Sequence, residues 1–179
     1  MLLKKGLLIF AAVLALLAGV ISTRPSSYRV TRSATIKAPP EKIFPLIGDY
    51  HKWADWSPWS SRDPNMKVTY DGRAGDVGTN YTWAGNDMVG AGKMVTLAIR
   101  SPEYMKIKLE FIKPFESQSI SEFTLKPAGG ETIVTWDMAG NANFFVKAFT
   151  LLSSFDSMIG PDFELGLKQM KELAESTKP

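Results

Sequence analysis

Lys106-Ile107-Lys108-Leu109-Glu110-Phe111 alternates charge and hydrocarbon without a break. A period of two places Ile107, Leu109 and Phe111 on one face of a β-strand and the three charges on the other. One covered face and one wetted face is the habit of antiparallel sheets. The alternation recurs on both sides of this stretch. Upstream, Tyr28, Val30, Ala34 and Ile36 share one parity, with Arg32 the exception. Met66, Val68 and Tyr70 form a second strand, Tyr81 and Trp83 a third, and Val95, Leu97 and Ile99 a fourth. Downstream, Ser121, Phe123 and Leu125 precede the turn Pro127-Ala128-Gly129-Gly130, and Val134, Trp136 and Met138 make the last strand.

Helical spacing appears at the two ends of this series. Ala38-Pro39-Pro40-Glu41 stops the first strand and opens a helix, because proline suits a first helical turn. Ile43, Phe44 and Ile47 follow at helical spacing, and Pro45 and Gly48 keep the helix short. After the last strand, Phe144 to Phe155 is rich in aromatic and aliphatic residues, and Asp156 to Pro161 reads as an interruption. Phe163, Leu167, Met170, Leu173 and Ala174 then recur at three and four, the signature of an amphipathic helix. One strand, short helices, six strands and a long helix is an α+β order.

Composition narrows the chemistry. The chain has 179 residues, enough for one domain, with no Cys and a single His, His51. Disulfides, thiolate metal sites and Cys nucleophiles are excluded, as is any site needing two imidazoles. The net charge of +3 suggests a nucleic-acid partner only at first sight. Lys4, Lys5 and Arg24 account for all of it, and residues 25–179 are formally neutral. A basic footprint for phosphates is missing, so no nucleic-acid binding is expected.

The charge sits beside a distinctive segment. Lys4-Lys5 precedes an uncharged run from Gly6 to Thr23, mostly Leu, Ala, Val and Ile. As a helix it rises about 27 Å, close to the roughly 30 Å of a hydrocarbon core. A single-pass anchor and a signal sequence both fit. The anchor is preferred, because the run is long for a signal core and Val20-x-Ser22 is a poor cleavage site. Residues 1–24 are thus read as a transmembrane anchor or uncleaved signal, 25–27 as a linker and 28–179 as the folded domain. Lys4 and Lys5 favour a cytoplasmic N-terminus, while Arg24, Arg29, Arg32 and Lys37 pull the other way. Folded domains translocate largely regardless of charge, so a single-pass cell-membrane protein with an extracytoplasmic domain is expected.

Several segments together resemble a known group. They are Arg32 to Phe44, Trp53-Ala54-Asp55-Trp56-Ser57-Pro58-Trp59, Asp63-Pro64, Tyr70-Asp71-Gly72 with Gly78, Tyr81 to Asn86, and Ile159 to Leu167. Over residues 28–177 the chain resembles the START/Bet v 1-like (SRPBCC) superfamily, and within it the bacterial polyketide cyclase/dehydrase-like proteins with an N-terminal membrane segment. The resemblance implies a helix-grip fold, in which a curved seven-stranded antiparallel sheet wraps a long C-terminal helix. It also implies an apolar cavity between sheet and helix that holds a hydrophobic small molecule or lipid. The superfamily hosts carriers, receptors and enzymes, so the fold alone does not name the function.

On that fold the inward strand positions Tyr81, Trp83, Phe111, Phe123 and Trp136 become cavity wall as well as core. Phe163 and Leu167 on the last helix face them. Three of the five Trp, namely Trp53, Trp56 and Trp59, fall within seven residues. They roof the cavity, face the membrane interface or staple the short helices to the sheet; Trp56 and Trp59 join the candidate wall. A pocket of a few hundred Å³ is expected. For catalysis only His51 and Asp55 come forward. His51 reads as an exposed loop residue, Asp55 equally as a turn cap, and Glu110, Glu122 and Asp137 point outward. Neither a catalytic set nor a metal or cofactor motif emerges, and binding is preferred to a cyclase/dehydrase-type reaction. A domain with a filled cavity that acts through protein partners is the third reading.

Overall fold

The computed structural model describes residues 2–151 and 153–176. Helix α1 (Leu2–Ser22) leads through a four-residue link into β1 (Ser27–Ile36). Helix α2 (Pro40–Gly48), a 3-10 turn (Tyr50–Asp55) and α3 (Pro58–Arg62) follow. Then come β2 (Lys67–Asp71), β3 (Asn80–Ala84), β4 (Ala91–Arg100), β5 (Tyr104–Lys113), β6 (Ser117–Ala128) and β7 (Glu131–Asn141). Helices α4 (Phe144–Phe149) and α5 (Phe155–Ser176) end the described chain.

The seven strands form one antiparallel sheet in the order β1-β7-β6-β5-β4-β3-β2. Each neighbour from β2 to β7 is reached by a short turn, and β1 closes the far edge by pairing with β7. The β6–β7 turn is a glycine pair with φ of +61° at Gly129 and +89° at Gly130, which suits the twist of a tight hairpin. Helix α5 lies across the concave face, chiefly along β1. This is the expected helix-grip arrangement.

Parity places the core as expected on β1, β5, β6 and β7. Val30, Ile36, Met105, Ile107, Phe123, Leu125, Val134 and Trp136 are all buried. On β4 the expected face is wrong. Gly92, Met94 and Thr96 point inward, while Val95 is half-buried and Leu97 is exposed. A register shift between Thr96 and Ala98 resets the alternation, so Ile99 regains contact with the core.

Helix α5 also begins earlier than expected, running through Gly160-Pro161. Arg32 explains both this and its own exceptional parity. Its guanidinium joins Asp156 (Nη1–Oδ1, 2.7 Å) to Glu164 (Nε–Oε1, 2.7 Å), clamping the helix on either side of the proline. A Cβ on residue 160 would stand 2.0 Å from Arg32 Nη2, so the glycine makes room for the clamp.

The register also defines two ends of the sheet. One holds Ser27, Asn141, Ser117, Lys113, Ala91, Ala84 and Lys67. Helix α1 runs into this end and α4 and α5 start from it. The opposite end carries the β6–β7 hairpin and the start of α2. There Ile36, Ile43, Phe44, Ile47, Tyr50 and Leu125 fill the space solidly.

Candidate functional site

Towards the end where α1 enters, the concave face is not filled. A cavity of about 120 Å³ remains between α3, α5 and strands β3 to β7. Its walls are Trp53, Ser57, Trp59, Met66, Tyr81, Trp83, Val89, Met94, Leu109, Phe111, Ser121, Trp136, Met138, Ile159 and Phe163. Trp59, Met66, Val89, Leu109, Phe111 and Ile159 are only half-buried and form the side that meets solvent.

Six of the nine sequence candidates line this space: Trp59, Tyr81, Trp83, Phe111, Trp136 and Phe163. Trp56, Phe123 and Leu167 do not; they are packed behind the wall. Phe123 stacks on the back of Trp136 at 4.9 Å, and Trp56 meets Trp136 edge-on at 5.5 Å. Trp56 also donates from Nε1 to the Leu46 carbonyl at 2.8 Å, which staples the 3-10 turn to α2. The Trp cluster therefore divides its labour. Trp56 is structural, Trp59 faces the cavity, and Trp53 does both, donating to the Ile47 carbonyl at 2.9 Å while its ring lines the wall.

The cavity is smaller than expected because aromatic stacking closes much of the concavity. Trp136 and Phe163 lie 3.9 Å apart and 7° from parallel, joining β7 directly to α5. Gly166 permits this approach, since a Cβ there would meet Trp136 at 3.0 Å and Pro58 at 3.3 Å. Across the sheet, Trp83 packs closely against Gly92, where a Cβ would collide with its Cη2 and Cζ2.

Among the described residues the lining contains no carboxylate, imidazole, amine or guanidinium. Its polar groups are the hydroxyls of Ser57, Ser121 and Tyr81 and the indole N–H groups of Trp53, Trp59, Trp83 and Trp136. Ser121 is already committed, accepting from Trp136 Nε1 at 2.9 Å and donating to the Asp137 carbonyl at 3.2 Å. Burial, with a smaller contribution from Tyr70, pushes the Tyr81 hydroxyl up to about 12, so it stays protonated in neutral water.

The thin catalytic candidates lie elsewhere. His51 is exposed, with Nδ1 2.9 Å from Asp49 Oδ1 and its ring stacked on Tyr70 at 4.0 Å. Asp55 is exposed as well. Glu110 pairs with Lys108 at 2.5 Å and Glu122 with Lys106 at 3.2 Å, both on the outer face. Asp137 accepts from the Thr31 hydroxyl at 2.5 Å.

The sequence reading missed Met66, Met94, Met138, Val89 and Ile159. Met138 shares the parity of Trp136 and was legible. Met94 was hidden by the β4 register shift, and Val89 and Ile159 sit in segments that read as turns.

A family model described as polyketide cyclase / dehydrase and lipid transport matches residues 27–175, the whole sheet together with α5. The chain belongs to this family. Solved structures with the same fold include a Chromobacterium violaceum protein, 16% identical with a TM-score of 0.61, covering 86% of this chain and 100% of its own. A Mesorhizobium loti protein is 17% identical with a TM-score of 0.64, covering 85% of this chain and 100% of its own. Major latex-like protein 151 from Panax ginseng is 13% identical with a TM-score of 0.60, covering 84% of this chain and 99% of its own. No curated protein matches the chain. At these identities the likeness establishes the fold, and the cavity's chemistry has to be read from its own residues.

For this member of the polyketide cyclase / dehydrase and lipid transport family, the N-terminal helix is a separate feature. Lys4–Ser22 is 19 residues with a mean hydropathy of 2.3 and lies almost wholly exposed, long and apolar enough to cross a membrane or to act as a signal sequence.

Proposed function

We propose that this chain is a membrane-tethered binding domain for a small hydrophobic molecule, held in the cavity between the sheet and α5. The observation that carries this reading is the lining itself. It is mostly apolar and aromatic, with three hydroxyls and four indole N–H groups, and among the described residues it holds no carboxylate, imidazole or amine. Such a surface recognises shape and hydrocarbon, and its few polar groups serve to orient the guest. A cyclase or dehydrase reaction by side-chain acid–base catalysis requires a group that takes or gives a proton. His51 and Asp55 are turned to solvent, so that alternative has no support from the arrangement.

Volume limits the guest. An apolar cavity of about 150 Å³ is known to take benzene. The cavity here accommodates a single ring or the end of a chain in this conformation. With a ceiling of about 1.5 kcal/mol per ligand heavy atom, a benzene-sized guest of six carbons reaches at most about 9 kcal/mol, a Kd of roughly 0.3 μM.

Trp fluorescence of the full-length chain, titrated with toluene, naphthalene and a short alkanol, tests the reading. Trp53, Trp59, Trp83 and Trp136 all line the wall, so a bound ring shifts their emission. A Leu109→Trp variant fills the void and abolishes the response. Emission unchanged by every compound refutes the binding reading and favours the partner-interaction one.

The tether forms part of the same proposal, with Lys4 and Lys5 on the cytoplasmic side and the domain outside. The chain is expected to stay in the membrane fraction through alkaline washing, with the domain open to protease added outside intact cells. Release of a shortened chain starting near Thr23 would show a cleaved signal instead.

A further inference from the structure

The cavity and α1 share one end of the molecule, and their relation carries more than either alone. Ser27 opens β1 and pairs with Asn141, at the sheet end that also holds Ala84, Ala91, Lys113 and Ser117. Residues 23–26 separate this end from α1, and four residues reach no more than about 14 Å. The link is shorter still in practice. Thr23 and Arg24 donate backbone N–H groups to the Gly19 and Ile21 carbonyls, extending the helix. Arg24 Nη2 then holds the Leu151 carbonyl at 2.7 Å and Lys147 Nζ holds Ser26 Oγ at 2.9 Å, tying the link to the segment around α4. A bilayer containing α1 therefore lies directly against this end of the sheet.

The half-buried side of the cavity opens at the same end. Met66 immediately precedes β2, Val89 lies in the β3–β4 turn, Phe111 is near the end of β5, and Ile159 is in the second turn of α5. The loop tips around it are apolar. Met88 in the β3–β4 turn is 72% exposed and Ile112 at the end of β5 is 55% exposed. Phe115 in the β5–β6 turn and Phe144 at the start of α4 are exposed too. Among the described residues the opposite half of the sheet also exposes Tyr70, Val77, Leu97 and Ile133, but none of these four lines the cavity. A rim of single apolar side chains on separate loop tips, around an apolar opening, suits a lipid surface, into which each tip inserts independently.

We infer that this end of the domain seats on the bilayer that α1 spans, with Met88 and Ile112 in the lipid interface and the cavity mouth facing it, so that the guest enters from the membrane. The inference rests on the proposed tether and on the proposed apolar guest, and it names the source of that guest as a small hydrophobic molecule already dissolved in the bilayer. It also reconciles the cavity's size with a lipid ligand. About 120 Å³ holds the end of a chain, while the remainder stays among the rim residues and lipid tails.

The natural absence of Cys makes the test direct. Met88→Cys, Ile112→Cys and Ala128→Cys, the last at the opposite end, each carry a polarity-sensitive fluorophore in the full-length chain reconstituted into phosphatidylcholine vesicles. Nitroxide-labelled lipid is then added. The labels at 88 and 112 are expected to shift to the blue and to lose most of their emission to the quencher, while the label at 128 does neither. Labels at 88 and 112 that behave like the one at 128 overturn the inference. Toluene titration of the unlabelled protein in the same vesicles, a single ring that the cavity accommodates, separates the two readings. Binding with unquenched rim labels refutes the docked face and leaves the cavity reading standing. Quenched rim labels without binding refute entry of a guest and the cavity reading with it, leaving only the membrane-seated face.

Discussion

The indole of Trp136 on β7 lies parallel to the phenyl ring of Phe163 on α5, with centroids 3.9 Å apart. This pair is the joint at which the C-terminal helix grips the sheet, and it is also a wall of the cavity. Fold stability and cavity size therefore depend on the same contact. Trp136 cannot drift, because Phe123 stacks on its other side and Ser121 holds its Nε1.

Phe163→Ala removes one half of the joint. The ring is 1% exposed, so the loss includes both transfer and cavity terms, about 3–5 kcal/mol in urea unfolding. The space vacated adds to the existing cavity. Where the variant folds, it is expected to bind naphthalene more tightly relative to toluene than the parent does. Isothermal titration with both ligands checks this, and an unchanged preference would show that the helix collapses into the gap.

Gly92→Ala tests the other wall. The new Cβ meets Trp83 Cη2 at 2.4 Å and the Glu110 carbonyl oxygen at 2.5 Å. The indole can swing away, but the carbonyl belongs to the β4–β5 ladder and cannot. A cost of about 1–3 kcal/mol is expected from overpacking. The Trp83 Nε1 bond to the Val89 carbonyl, 3.3 Å long, should be lost with it, read as a changed indole resonance in NMR.

How far these contacts were legible follows from what each residue depends on. Tyr81, Trp83, Phe111 and Trp136 were found because strand parity is a local property of the chain. Phe123 has the same parity yet lies behind the wall, because only the stacking of Trp136 across it decides which of the two faces the void. The inward face of β4 was misread because a register shift after Thr96 resets parity, and nothing in Val95, Leu97 and Ile99 announces it. The first turns of α5 were misread because Gly160-Pro161 ordinarily ends a helix; Arg32, more than a hundred residues away, holds those turns in place. Cavity size was overestimated for a related reason: parity counts the rings that point inward but not how closely they stack.

Arg32 offers a pH-dependent test. Its hydrogen bonds hold the Asp156 carboxyl below its ordinary value of 3.8. A lowered native value means that the unfolded chain binds this proton first as the solution is acidified. The contribution is therefore complete above the ordinary range and is lost as pH falls below about 3.8. Arg32→Met should reduce stability at neutral pH, and the gap between parent and variant should close through the acid range. Chemical unfolding at a series of pH values measures it, and a constant gap would mean that Arg32 acts by packing alone.

Tyr50 provides the matching test on the alkaline side, at the filled end of the core. Its hydroxyl lies 2.9 Å from that of Thr96, and both residues are buried. Burial pushes the phenol up to about 12, only partly offset by the Thr96 hydrogen bond. Tyr81 is raised to about 12 by the same cause. A raised native value means that the unfolded state gives up the proton first. The stability these phenols contribute is complete below the ordinary tyrosine value of 10.0 and is lost as pH climbs towards 12. Tyr104 is raised to about 12 too, by burial and its hydrogen bond to Glu122. Ultraviolet titration should therefore show at least three phenols ionising late. The ionisation of Tyr50 and Tyr81 should come with loss of near-ultraviolet circular dichroism, since a buried phenolate forms only as the core opens. Tyr50→Phe should remove one late phenol and cost about 0.5–1.5 kcal/mol for the lost hydrogen bond. Five tyrosines titrating together near their ordinary value, with the fold intact, would place Tyr50 and Tyr81 in contact with water and contradict the packing described.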